Sequence, residues 1–100
     1  MDKVLVVTGA SAGIGAAVAT LAAQAGYAVC INHRDSAAKA EALLETLCAS
    51  GTRAIAVQAD VRTEEGVCRL FDEAEAQLGR LTHLVNNAGI ISRIRPFEAL

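Results

Sequence analysis

The chain has 100 residues, which bounds it to at most one domain with a modest core. Apolar residues make up 53% and charged residues 20%, the balance of a folded globular chain and not of a disordered one. A formal net charge of -2, with no cluster of lysine or arginine, excludes a strong footprint for nucleic acid or an anionic membrane. The first apolar run, Val4 to Val7, is too short for a signal-peptide core, and no run is long enough to span a bilayer. The expected location is therefore cytoplasmic. Aromatic residues are scarce at 3% while alanine is abundant, which suits helices packed closely on a sheet.

The predicted elements alternate. Lys3 to Thr8 is apolar on nearly every residue, as in a strand covered on both faces. A helix follows from about Ala12 to Ala25, with Ile14, Val18, Leu21 and Ala22 near its inward face and Gly26 as its stop. The second strand is Ala28 to Asn32. Ser36 is a good N-cap for a second helix running to about Ser50, with Leu43, Leu44 and Leu47 inward and Gly51 as the stop. The third strand is Ala54 to Ala59. Thr63 caps the third helix, whose inner face is Val67, Leu70, Phe71, Ala74 and Leu78, ending at Gly79. His83 to Asn86 is the fourth strand; an irregular segment from Ala88 to Arg95 follows, and Pro96 suits the first turn of a further helix. Such β-α-β alternation implies right-handed crossovers and a parallel sheet with helices on both faces, in an α/β doubly wound fold.

Three cysteines, Cys30, Cys48 and Cys68, fit neither a disulfide framework nor a zinc site, and no metal is expected. Cys30 lies in an apolar run and reads as a buried small hydrophobe.

The chemistry concentrates in the turn after the first strand, Thr8-Gly9-Ala10-Ser11-Ala12-Gly13-Ile14-Gly15. A helix N-terminus exposes unpaired N–H groups and the positive end of the helix dipole, so a pyrophosphate is a natural ligand if the backbone can come close. Gly9 permits the tight turn, Gly13 permits close approach, and Gly15 lets the helix pack on the strand. The spacing is G-x-x-x-G-x-G, not G-x-G-x-x-G, and its position between a strand and a helix is the context that a dinucleotide site requires.

The octet Thr8 to Gly15 resembles the coenzyme signature of the classical short-chain dehydrogenase/reductase family. Asn86-Asn87-Ala88-Gly89 at the end of the fourth strand is similar to a second signature of that family, and Asp60-Val61 at the end of the third strand to a softer one. The resemblance runs along the whole chain in order and spacing. It implies the N-terminal portion of a Rossmann-type domain, about four strands of it, incomplete at its C-terminal end, within residues 1–100. It also implies roles. Ser11 and Ile14 help form the pyrophosphate turn. Asp60 accepts from the adenine amino group, and the Val61 backbone faces the adenine ring. Asn87, Ala88 and Gly89 line the ribose side, while Asn86 braces the sheet. Asp60 and Asn87 stand at the carboxyl ends of strands, where open parallel sheets bind ligands.

The residues after the second strand, Asn32-His33-Arg34-Asp35, bear on the choice of coenzyme. An NAD-type acid would stand at His33 by the family pattern, and none is there. Arg34 follows, and a cation suits the dianionic 2′-phosphate of NADP. Ala12 stands where many NADP users carry a basic residue, which cuts the other way, and Asp35 reads as a neighbour of the next helix start. The reading favours NADP over NAD, with His33 an exposed polar residue beside Arg34.

In the family a tyrosine, lysine, serine and asparagine carry out proton transfer, and they lie beyond the fourth strand. Tyr27 has no lysine four residues on and reads as structural. No catalytic residue is assigned within the chain. The resemblance thus implies an NADP(H)-dependent oxidoreductase acting on a small-molecule alcohol or carbonyl, its catalytic half further along, in a homo-oligomer. The alternative is an NADP(H)-binding sensor with no chemistry; an unrelated Rossmann domain such as a sugar-nucleotide epimerase fits the glycine spacing less well. Arg93, Arg95 and Phe97 read as a solvated loop.

Overall fold

The computed structural model of the 100-residue chain describes residues 3–87. The readings of Ala88, Gly89, Arg93, Arg95, Phe97 and a helix opening at Pro96 lie outside the described residues. Strands and helices alternate as β1 (Val4–Val7), α1 (Gly13–Gln24), β2 (Ala28–His33), α2 (Ala37–Ala49), β3 (Ala54–Gln58), α3 (Glu64–Leu78) and β4 (His83–Val85).

The strands form one parallel sheet in the order β3-β2-β1-β4. Parallel neighbours cannot be joined by a tight hairpin, so each connection carries a helix across a face. The chain steps outward from β1 to β3, then returns to lay β4 on the other side of β1. The order therefore reverses beside β1, the kind of point at which a crevice opens at the carboxyl ends of the strands.

Each face has its own core. Val4, Val6 and Cys30 point to the face covered by α3, through Val67, Leu70, Ala74 and Leu78. Leu5, Val7, Val29 and Ile31 point to the other, covered by Ala19 of α1 and by Ala40 and Leu47 of α2. β1 and β2 are buried at every position, as central strands covered on both sides must be.

α3 matches its predicted inner face, with Phe71 half-buried at its margin. Thr63 caps it, its hydroxyl accepting from the Gly66 N–H at 2.9 Å. Ser36 makes no such bond, because its ψ of 55° is far from the extended geometry that turns a cap side chain back onto the helix. α1 departs from expectation. Ile14 and Leu21 are 74% and 65% exposed, and the buried residues are Gly15 and Ala19. The helix lies too close to the sheet for a large residue at the contact. At 100° per residue, Ile14 and Leu21 fall about 100° and 120° round the helix from Gly15. Among the described residues no helix is long and apolar enough to cross a membrane.

Candidate coenzyme site

The site begins at the turn between β1 and α1. Gly9 and Gly13 have φ of 59° and 64°, a left-handed backbone that glycine adopts without steric cost. Gly15 is needed for another reason. A Cβ built on it would sit 2.7 Å from both Asn87 Nδ2 and the Gly9 carbonyl oxygen, and 2.9 Å from the Ala10 Cα. A Cβ on Gly13 would meet nothing within 4 Å among the described residues, so the space before the helix start is open on their side. Ala12 at the N-cap gives no side-chain bond, and the first turn carries no acid. The opening amides of α1 thus keep the character that favours an anion.

Residues from the flanking strands hold the turn. The Thr8 N–H donates to the Val85 carbonyl at 3.0 Å. The Thr8 hydroxyl donates to Asn86 Oδ1 at 3.2 Å and accepts from the Asn87 N–H at 2.9 Å. Asn87 Nδ2 donates to the Gly9 carbonyl at 3.0 Å. From the other side, the Gly9 N–H donates to Asn32 Oδ1 at 3.3 Å, and the Ala10 N–H to the Asn32 carbonyl at 2.9 Å. Gly9 is therefore clamped between two asparagines, one at the end of β2 and one just past β4. Sequence reasoning assigned Asn32 no role. A signal existed: a carboxamide ending an apolar, doubly covered strand must find partners or lose the free energy of its lost hydration.

His33 is only 8% exposed, which corrects its reading as an exposed residue. The cause is register: β2 runs one residue further than expected and pairs His33 with Gln58 of β3. Its Nδ1 has no partner among the described residues. Next to it Arg34 is exposed, its Nε 3.4 Å from the Asp35 carboxylate, and its carbonyl accepts from Gln58 Nε2 at 3.1 Å. Asp35 thus pairs with Arg34 and stands ahead of the helix that opens at Ala37.

At the end of β3 the Asp60 carboxylate already has a partner that sequence reasoning did not single out. Arg62 Nε donates to Oδ1 and Nη2 to Oδ2, both at 3.0 Å, and the Arg62 N–H adds a third bond to Oδ1 at 3.0 Å. The Arg62 side-chain bonds, and then its backbone bond, lower the Asp60 pKa to about 2. Asp60 in turn raises the Arg62 guanidinium, first by hydrogen bonding and then by its charge. The Val61 side chain is buried in the α3-side core, so only its backbone can face a ligand.

The other residues singled out lie away from this end of the sheet. Tyr27 stands just before β2, with its ring edge-on to His83 at 5.2 Å and Lys3 Nζ 5.4 Å from its centroid. Cys30 is buried, and burial, with a further push from Glu73, raises its thiol to about 12. It stays protonated and acts as core.

The glycine turn, the β2 end and the β3 end therefore meet at the carboxyl end of a parallel sheet, the architecture of a Rossmann-type nucleotide site. The short chain dehydrogenase family model matches residues 3–100, and the chain belongs to that family. It is 51% identical over 88 residues to an uncharacterized oxidoreductase of Methylorubrum extorquens, a match covering 88% of this chain and 36% of that protein. It is 43% identical over 90 residues to 3-oxoacyl-(acyl-carrier-protein) reductase FabG of Staphylococcus epidermidis, covering 90% of this chain and 37% of the reductase. Among solved structures, a short chain dehydrogenase from Burkholderia cenocepacia in complex with NADP superposes with a TM-score of 0.84 at 44% identity, covering 88% of this chain and 36% of that one. The chain thus spans little more than a third of the length of these relatives.

Proposed function

We propose that residues 1–100 carry the N-terminal part of an NADP(H)-binding Rossmann domain, in an oxidoreductase that interconverts an alcohol and a carbonyl. The observation that carries this reading is the meeting of an open, glycine-built helix start with the exposed Arg34 at one end of the sheet. The residues present fit the coenzyme. The turn formed by Gly9, Ser11, Gly13, Ile14 and Gly15 would hold the pyrophosphate on the first amides of α1. Arg34 would pair with the 2′-phosphate, with His33 beside it at the end of β2. Asp60 and the Val61 backbone would read the adenine, while Asn87, with Ala88 and Gly89, would border the nicotinamide-side ribose. When bound, the nicotinamide supplies or takes the hydride. The groups that move the proton belong to chain beyond these residues.

The NADP-bound Burkholderia relative supports the choice of coenzyme, and the name of the Staphylococcus reductase supports a carbonyl substrate. Titration of the full-length protein with NADPH and NADH, followed by fluorescence, tests the first point. NADPH is expected to bind at least about tenfold more tightly, one charge-assisted contact's worth; tighter binding of NADH would overturn it. Absorbance at the reduced-nicotinamide band with a panel of ketones tests the second. Binding without any turnover would favour the sensor.

A further inference from the structure

Asn32 places both polar atoms of its side chain in hydrogen bonds inside the coenzyme end of the fold. Its Oδ1 accepts the Gly9 N–H at 3.3 Å and its carbonyl accepts the Ala10 N–H at 2.9 Å. Its Nδ2 has two hydrogens and faces three carbonyls, those of His33 at 3.3 Å, Val57 at 3.2 Å and Ala59 at 3.1 Å. Two consequences follow. The amides of Gly9 and Ala10 are already used, so the donors left for a phosphate are those of residues 11–15, ahead of the first helical bond from the Ala16 N–H. And one buried carboxamide joins the turn that opens α1 to the strand end that leads into Asp60. The Ala10 bond is made by the main chain, so the side chain's own contribution is the join from the Gly9 N–H across to the Val57 and Ala59 carbonyls.

We propose that Asn32 is a positioning residue for the coenzyme. It sets the separation between the pyrophosphate-binding amides of residues 11–15 and the adenosine-side residues His33, Arg34 and Asp60, so that both halves of the dinucleotide are bound together. This rests on the coenzyme reading above. It also accounts for a polar group in a strand where an aliphatic residue would be buried without needing any partner.

The test compares the full-length wild type with Asn32→Ser and Asn32→Val by calorimetric titration with NADPH and with adenosine 2′-phosphate, which engages one half of the site. Loss of the link should weaken NADPH by about tenfold or more while adenosine 2′-phosphate changes by less than about twofold, since only the joined ligand needs both halves in register. Parallel losses for both ligands, or an unchanged NADPH affinity, would overturn the proposal. Amide hydrogen exchange on the wild type decides the matter even if the variants do not fold. Gly9 should be protected before NADPH is added and no more so afterwards, with residues 11–15 gaining protection. Free exchange at Gly9 until NADPH arrives would sink the link. A wild type that binds no NADPH at all would instead sink the coenzyme reading.

Discussion

Arg62 decides what Asp60 can offer a ligand. An ionised carboxylate has about four acceptor sites. Arg62 fills two on Oδ1 and one on Oδ2, leaving one on Oδ2 for an amino group such as that of adenine. The pKa of Asp60 is lowered from 3.8 to about 2, so its ionised form is favoured by folding. The stability it contributes is present above the unfolded carboxylate's pKa and is lost as pH falls through about 2. Arg62→Ala should move the Asp60 pKa up toward its ordinary value, read from a carboxyl NMR titration; an unmoved pKa would place the cause elsewhere. Arg34→Asp is expected to weaken NADPH binding far more than NADH binding, because a carboxylate repels the 2′-phosphate; equal losses in paired titrations would refute the role given to Arg34. At this scale the sequence was legible where a residue acts through its own backbone, as at Gly9, Gly13 and Gly15. It was not legible where the role depends on which strands adjoin. The carbonyl partners of the Asn32 carboxamide on β3 and the burial of His33 follow from the β2–β3 register, which composition and spacing do not encode; the grip of Arg62 on Asp60 is local, made within the turn after β3.

The helices differ in how well periodicity describes them. α3 packs with large side chains, so its apolar spacing gives its inner face directly. Leu70 is fully buried there, and Leu70→Ala should cost about 2–5 kcal/mol in chemical denaturation. Thr63→Ala removes the cap bond to Gly66 and should cost about 1 kcal/mol in the same measurement. α1 packs with small ones. Ranking its residues by hydrophobic size selects Ile14 and Leu21, but proximity selects Gly15 and Ala19. Gly15→Ala brings a methyl group against backbone atoms of Gly9 and Ala10, which cannot rotate aside as a long side chain can. It should destabilise the fold and also displace the coenzyme turn, so a lower Tm and weaker NADPH binding are expected together. An unchanged Tm would show that the turn can yield at little cost.

Across the whole molecule, alternation of elements was enough to predict a parallel sheet, and the right-handed crossover rule enough to place helices on both faces. The order β3-β2-β1-β4 adds what alternation alone leaves open, namely that β1 is central and, among the described residues, β4 is an edge. Leu84 and Val85 on β4 are only half-buried, and an apolar hollow of about 390 Å³, lined by Leu5, Val18, Leu21, Ala22 and Tyr27 among others, opens beside them. An edge strand next to apolar surface that no described residue covers is a template for association. The relatives are nearly three times as long as the matched region, which leaves them ample chain to cover such an edge. Residues 1–100 expressed alone should therefore show concentration-dependent self-association in sedimentation velocity and a lower Tm than the full-length protein. A monomeric, equally stable 1–100 would show that β4 and the hollow need no cover.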